Sequence, residues 1–243
     1  MHAYVPMSRL VFGWNNGSPV WTADGTRLVF ASERTGVFNI FWQPADGSGP
    51  AERVLTSAHN QWPYSCSPDG KMLAFVDSDP VTREDIWTVP LEGDRKPRPF
   101  LREPFSETRP SFSPDGRWLA YESDESGRSE IYVRPYPGPG GKWQISNDGG
   151  SSPVWARNGN ELFYSNADGK LRVVKVTLGA SFTATKPQPL DQIVASDARW
   201  SNYDVSPDGE RFVVVSEVPE APKTQINLVL NWFTELQQRV PTR

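Results

Sequence analysis

A five-residue motif returns along the chain as Trp21-Thr-Ala-Asp-Gly25, Cys66-Ser-Pro-Asp-Gly70, Phe112-Ser-Pro-Asp-Gly116, Trp155-Ala-Arg-Asn-Gly159 and Val205-Ser-Pro-Asp-Gly209. Glycine takes positive φ without steric cost, and an Asp or Asn beside it can bond nearby backbone N–H groups, so each copy reads as a tight hairpin turn. The glycines stand 45, 46, 43 and 50 residues apart, which is the spacing of stacked four-stranded units rather than of shorter helical or leucine-rich repeats.

Apolar runs follow each turn as Leu28-Val-Phe30, Leu73-Ala-Phe75, Leu119-Ala-Tyr121, Leu162-Phe-Tyr164 and Phe212-Val-Val214. Runs this short and continuous are those of strands buried on both faces. A third strand is predicted at Asn39-Ile-Phe41, Asp85-Ile-Trp87 and Glu130-Ile-Tyr132, and less regularly at 171–176 and 226–230. A fourth strand ends near Leu55, Leu101 and Ile145; Leu55 and Leu101 lie 15 residues before the next turn glycine, as Leu10 lies 15 before Gly25.

These spacings predict an all-β chain, a single-domain β-propeller of five four-stranded blades over about 18–57, 62–102, 108–146, 151–191 and 200–231. The fifth repeat lacks a clear fourth strand, and the N-terminal segment 8–13 supplies one, closing the ring and removing the open sheet edge. The alternative makes the chain part of a longer propeller, with 8–13 belonging to a preceding blade. The tail 231–240 reads as a short C-terminal helix capped by Asn231, with Trp232, Phe233, Leu236 and Val240 on one broad face.

Composition narrows the function classes. A net charge of -4 excludes the clustered Lys and Arg that phosphate-backbone binding needs, so nucleic acid is not expected as a partner. No apolar run approaches the roughly 18 residues of a membrane span, and Met1–Gly13 lacks a basic segment followed by an apolar core. The sequence as written therefore predicts a cytoplasmic monomer; a periplasmic or other extracytoplasmic place applies if a longer parent exists. Cys66, the single cysteine, reads as a small buried residue.

Residues 108–134, with Arg109-Pro-Ser-Phe-Ser-Pro-Asp-Gly116, Leu119-Ala-Tyr121 and Glu130-Ile-Tyr132, resemble the TolB-like (WD-repeat-like) propeller repeat. The ending Asn227-Leu-Val-Leu-Asn-Trp-Phe-Thr-Glu-Leu236 is similar to propellers fused behind bacterial serine/threonine kinase domains or other regulatory modules. The resemblance implies a bacterial protein and a propeller fold. It implies little about activity, because the motif encodes turns and buried strands and one fold hosts many functions.

Catalytic sets are missing from the sequence. There is no Gly-x-Ser-x-Gly, and the only histidines, His2 and His59, read as a terminal residue and a solvated loop residue. Kinase motifs are absent too, and Gly138-Pro-Gly-Gly-Lys142 lacks phosphate-loop spacing and reads as a hairpin loop. Acidic groups at Asp77, Asp79, Glu84 and Asp85, and at Glu122, Asp124, Glu125 and Glu130, fit no EF-hand loop and read as solvated.

In a propeller, the loops entering the inner strands crowd the mouth of the central channel. Alignment on the turns places Asn16, Gln61, Glu107, Gly150 and Trp200 at one such position, with Trp62, Arg109 and Asn202 at the next two. Trp and Arg are residue types that anchor interfaces. The expected function is therefore a non-catalytic binding or scaffold module presenting one face to a protein or peptide partner, with Asn16, Gln61, Trp62, Glu107, Arg109, Trp200 and Asn202 as site residues and no cofactor. The alternative is a metal-dependent ester or lactone hydrolase with calcium in the channel, held by Glu107 with Asn16, Asn60 or Asn202.

Overall fold

The computed structural model describes residue 10 and residues 13–194, 203–207 and 209–214, with backbone only for 191–194. Every element in these residues is a strand, and no helix among them is long and apolar enough to cross a membrane.

Three antiparallel sheets repeat one plan. The first runs β1 (Asn16–Trp21), β2 (Arg27–Ser32), β3 (Asn39–Pro44) and β4 (Glu52–Arg53). The second runs β5 (Asn60–Cys66), β6 (Met72–Asp79), β7 (Arg83–Pro90) and β8 (Arg98–Leu101). The third runs β9 (Glu107–Phe112), β10 (Trp118–Ser123), β11 (Glu130–Pro135) and β12 (Trp143–Gln144).

A fourth sheet departs from that plan. Its strands β13 (Ser151–Trp155), β14 (Glu161–Ser165) and β15 (Lys170–Leu178) are in order, but β15 pairs with both β16 (Phe182–Ala184) and β17 (Gln188–Val194). The longer β15 accommodates two outer strands in place of the single one expected. A fifth pair, β18 (Tyr203–Val205) and β19 (Phe212–Val214), begins the last repeat. The expected closing strand at 8–13, except Leu10 and Gly13, and the helix at 231–240 lie outside the described residues.

The turns explain the register. In the first three copies a hydroxyl donates to the carboxylate two residues on: Thr22 Oγ1 to Asp24 Oδ1 at 2.6 Å, Ser67 Oγ to Asp69 Oδ1 at 2.5 Å, and Ser113 Oγ to Asp115 Oδ1 at 2.6 Å. The same hydroxyls accept the N–H groups of Arg27, Met72 and Trp118, and the carboxylates accept those of Thr26, Lys71 and Arg117. Glycine closes each turn at φ between 68° and 78°. Blade four has Ala156 and Asn158 in place of Ser and Asp and keeps only the amide half of the arrangement, Asn160 N–H to Asn158 Oδ1 at 2.9 Å.

The core lies in the seams between blades. Val29, Ile40 and Trp42 pack on Leu73, Phe75 and Val89. Ala74, Val76 and Ile86 pack on Phe112, Leu119 and Tyr121, and Ala120, Ile131 and Val133 on Trp155, Leu162 and Tyr164. A smaller seam joins Phe163 and Leu171 to Tyr203. Fully burying one such aliphatic or aromatic side chain contributes roughly 1.5–3 kcal/mol. Leu55 and Ile145 fall just past the ends of β4 and β12, yet both are buried and their N–H groups bond Ile40 O and Ile131 O.

The acidic residues expected in solvated loops are in part structural. Asn39, Asp85 and Glu130, at one repeat position, are at most 1% exposed. Each holds the chain around its own blade: Asn39 exchanges two bonds with Ser57, Glu130 accepts from Ser146 Oγ and from Gly149 N–H, and Asp85 accepts from Thr82 Oγ1 and lies 3.8 Å from Arg102 Nε. A buried carboxylate is tolerated only when bonded in this way. His59 is likewise not a freely solvated loop residue, because its Nδ1 lies 2.8 Å from Asp77 Oδ1. Cys66 packs against the first seam, and burial pushes its thiol up to about 12, with Asp24 adding to the rise.

Ser113→Ala removes the donor to Asp115 and leaves the buried Trp118 N–H without its acceptor, a loss of about 1–3 kcal/mol. A fall in Tm of the purified protein checks it. The turn hydrogen bonds, that from Thr22 foremost, hold Asp24 down to about 2. Their stabilisation is present above the ordinary carboxylate range and is lost as pH falls toward that value, so acid titration of the melting temperature is expected to show a limb that Asp24→Asn removes.

Candidate binding surface at the channel mouth

The inner strands β1, β5, β9, β13 and β18 follow one another around a central cavity of about 670 Å³. Each of the first four blades carries a β-bulge there, as register shifts in the β1–β2, β5–β6, β9–β10 and β13–β14 ladders. In three of them the residue seven before the turn glycine is a non-glycine at positive φ: Ser18 at 49°, Arg109 at 50° and Ser152 at 56°. Each precedes a proline, and all three line the cavity. A bulge re-aims one side chain out of the ladder, and non-glycine residues at positive φ persist only where the surrounding structure holds them. Blade two has Pro63 at this position, whose ring fixes a negative φ.

Arg109 lines both this cavity and a neighbouring cleft of about 750 Å³ between blades two and three. Its Nη1 bonds Glu122 Oε2 at 2.7 Å and Ser151 Oγ at 3.1 Å, reaching across to blade four. Burial alone would lower the guanidinium, but the Glu122 carboxylate outweighs it and holds Arg109 above its ordinary value. The cleft is walled by Phe38, Trp62 and Tyr64, with the rings of Phe38 and Trp62 4.4 Å apart. At its rim Arg83 pairs with Asp124 at 2.9 Å, and Ser106 Oγ donates to Glu84 at 2.6 Å.

Three of the seven residues expected at the site, Asn16, Trp62 and Arg109, line these two spaces. Trp200 and Asn202 lie outside the described residues. Gln61 and Glu107 are 4% and 2% exposed and line neither space. Gln61 Nε2 donates to Asp77 Oδ2 at 3.0 Å within blade two.

Sequence reading did not single out Tyr64 or Tyr203, which also line the cavity, as does Ser152. Tyr203 is buried, and its hydroxyl donates to Ser152 O at 2.7 Å. The signal available for three of the bulges was the pair Arg-Pro or Ser-Pro at a fixed distance before the turn glycine.

Of the residues that the alternative reading assigns to calcium, Asn16 lines the cavity and Asn202 lies outside the described residues. Asn16 donates its amide to Gly13 O, Asn60 Oδ1 accepts the Phe38 N–H, and Glu107 is buried. Among the described residues no group of three or more His, Cys, Asp or Glu side chains is arranged to hold a metal.

The fold is that of the TolB-like β-propellers, a class of stacked four-stranded blades. Among solved structures it is similar to TolB from Acinetobacter baumannii, with a TM-score of 0.65, 21% identity, and coverage of 85% of this chain and 50% of that one. It is also similar to a putative gluconolactonase, with a TM-score of 0.58, 14% identity, and coverage of 86% of this chain and 81% of that one. In sequence it is 30% identical over 115 residues to the Tol-Pal system protein TolB of Bordetella pertussis, covering 47% of this chain and 26% of that protein. It is 29% identical over 184 residues to dipeptidyl-peptidase 5 of Aspergillus fumigatus, covering 58% of this chain and 25% of that protein. The chain thus spans about a quarter of the length of these curated relatives. No protein-family profile matches it.

Glu107 yields a pH prediction. Burial raises its carboxyl to about 8; a backbone hydrogen bond at Glu103 opposes the rise, and the charges of Asp85, Glu103 and Glu125 add to it. A group raised on folding stabilises below its unfolded value, about 4.3 for Glu, and loses that stabilisation as pH climbs through the folded value. Glu107→Gln is expected to match the wild type at pH near 5 and to melt higher at pH near 8. A variant that melts lower at the alkaline end would show a bonded, ionised carboxylate instead.

Proposed function

We propose that the chain is a non-catalytic binding module whose channel mouth, centred on Arg109, receives a protein or peptide segment. The observation that carries this reading is the meeting of two spaces at Arg109: the 670 Å³ cavity and the 750 Å³ cleft share it. Tyr64 also lines both spaces, and the aromatic pair Phe38–Trp62 stands beside them. Aromatic residues and arginine in a partly desolvated recess are the usual anchors of recognition. The bulges support it too, since they place side chains toward the channel that the ladder does not require.

The TolB relatives, whose name places them in the Tol-Pal system, favour a protein partner and an extracytoplasmic setting over a small-molecule one. A sensor half of a bacterial regulatory system, as in the kinase fusions that the C-terminal sequence resembles, fits the same surface. The hydrolase reading keeps one support, the structural likeness to the putative gluconolactonase, which at 14% identity concerns fold alone.

The test is selection of peptides on the purified chain from a display library, followed by affinity measurement on variants. Trp62→Ala and Arg109→Ala are each expected to weaken selected peptides by about tenfold or more, a loss of about 1.4 kcal/mol. Peptides that bind both variants as tightly as wild type would move the site elsewhere. Turnover of a lactone or an aryl ester that depends on added calcium would replace this reading with the hydrolase.

A further inference from the structure

The position just before the buried Asn39, Asp85 and Glu130 holds Phe38, Glu84 and Ser129, and all three line the 750 Å³ cleft. The residue type changes from blade to blade, so the common plan does not dictate it. Blade two presents its copy on an extension. In blades one and three the ladder between the second and third strands ends at Ser32–Asn39 and Ser123–Glu130. In blade two β6 and β7 pair for two residues more, through Ser78–Glu84 to Asp79–Arg83. Arg83 stands at φ 79° and reaches across to Asp124 of blade three.

The charges lining this cleft do not balance. It holds the carboxylates of Glu84, Glu122 and Asp124 against the guanidiniums of Arg83 and Arg109. Arg83 pairs with Asp124 and Arg109 with Glu122. Glu84 is left over: Ser106 Oγ donates to its Oε2 at 2.6 Å, and among the described residues no cationic side chain forms an ion pair with it. The odd carboxylate stands near the aromatic wall. Burial raises the Tyr64 phenol, Arg109 opposes the rise, and Glu84 and Glu122 add to it.

We propose that the cleft receives a lysine or arginine side chain of the bound peptide, its charged head on Glu84 and its stem along Phe38 and Trp62. The inference rests on the channel mouth being a peptide site. Long cationic side chains lay an apolar stem on apolar surface and keep the head at a polar partner. An ammonium or guanidinium is drawn to aromatic faces as well. An acidic side chain fits poorly, because it would have to displace Glu122 or Asp124 from its arginine and leave a partly desolvated carboxylate unpaired. A single excess charge acts at contact rather than at a distance, so its effect falls on the off-rate.

Sequencing the peptides selected on the purified chain, and measuring their binding kinetics on variants, tests this. A Lys or Arg is expected to recur at one peptide position. Glu84→Gln, which keeps an acceptor for Ser106, is expected to weaken those peptides by about tenfold, chiefly through a faster off-rate. Replacing the recurrent basic residue by Gln is expected to cost as much on the wild type and to add little on Glu84→Gln, the coupling of a direct pair. Selection on Glu84→Lys is expected to bring Asp or Glu to that position. Far-UV circular dichroism and melting confirm that the variants fold. Peptides that depend on Trp62 and Arg109 yet share no basic residue, or bind Glu84→Gln as tightly as the wild type, overturn this inference and leave the binding module standing. A library that yields no peptide dependent on Trp62 or Arg109 overturns both.

Discussion

The blades depend on a small polar contact, the hydroxyl of Thr22, Ser67 or Ser113 given to the carboxylate two residues on. It fixes where each hairpin reverses. Because side chains alternate along a strand, that position decides which residues face which neighbouring blade. A slip of one residue would move Leu119 and Tyr121 out of one seam and expose them in the other. The contact is worth little as a single hydrogen bond in water, yet the large apolar seams can form only in the register it sets. Blade four, with Ala156 and Asn158, shows how much the packing then contributes, since it holds the same turn with one of the two side-chain bonds.

The repeat was legible because its causes are local. A glycine at positive φ, a capping carboxylate and a short apolar run lie within about ten residues of one another, so spacing alone exposed them. The doubled outer strand of blade four was not legible: β17 pairs with the first half of β15 and β16 with its last residues, an arrangement that depends on the length of β15 rather than on composition. The site was half legible. Arg109 and Trp62, which line the two spaces, could be read from the loops they occupy, whereas nothing in the sequence marked the burial of Gln61 and Glu107. Asp85 and Glu130 looked like solvent-facing acids because nothing in sequence marks the backbone N–H and hydroxyl groups that come to them in space.

Both arginines that line the two spaces are paired, Arg83 with Asp124 and Arg109 with Glu122. Pairing of this kind leaves a weak net field. A partner would be drawn in by shape, aromatic surface and hydrogen bonding rather than by long-range steering, and association would change little with salt.

The bulges set a limit of another kind. A backbone held at φ near 50° at Ser18, Arg109 and Ser152 is hostile to Val, Ile and Thr, whose branched carbons crowd that conformation. Side chains that tolerate it best are Asn, Asp, Gly and unbranched polar types. The vocabulary with which such a propeller can be retargeted is therefore written by its main chain: new specificities can be spelled at these positions in polar, unbranched letters, while the ladder beside them goes undisturbed.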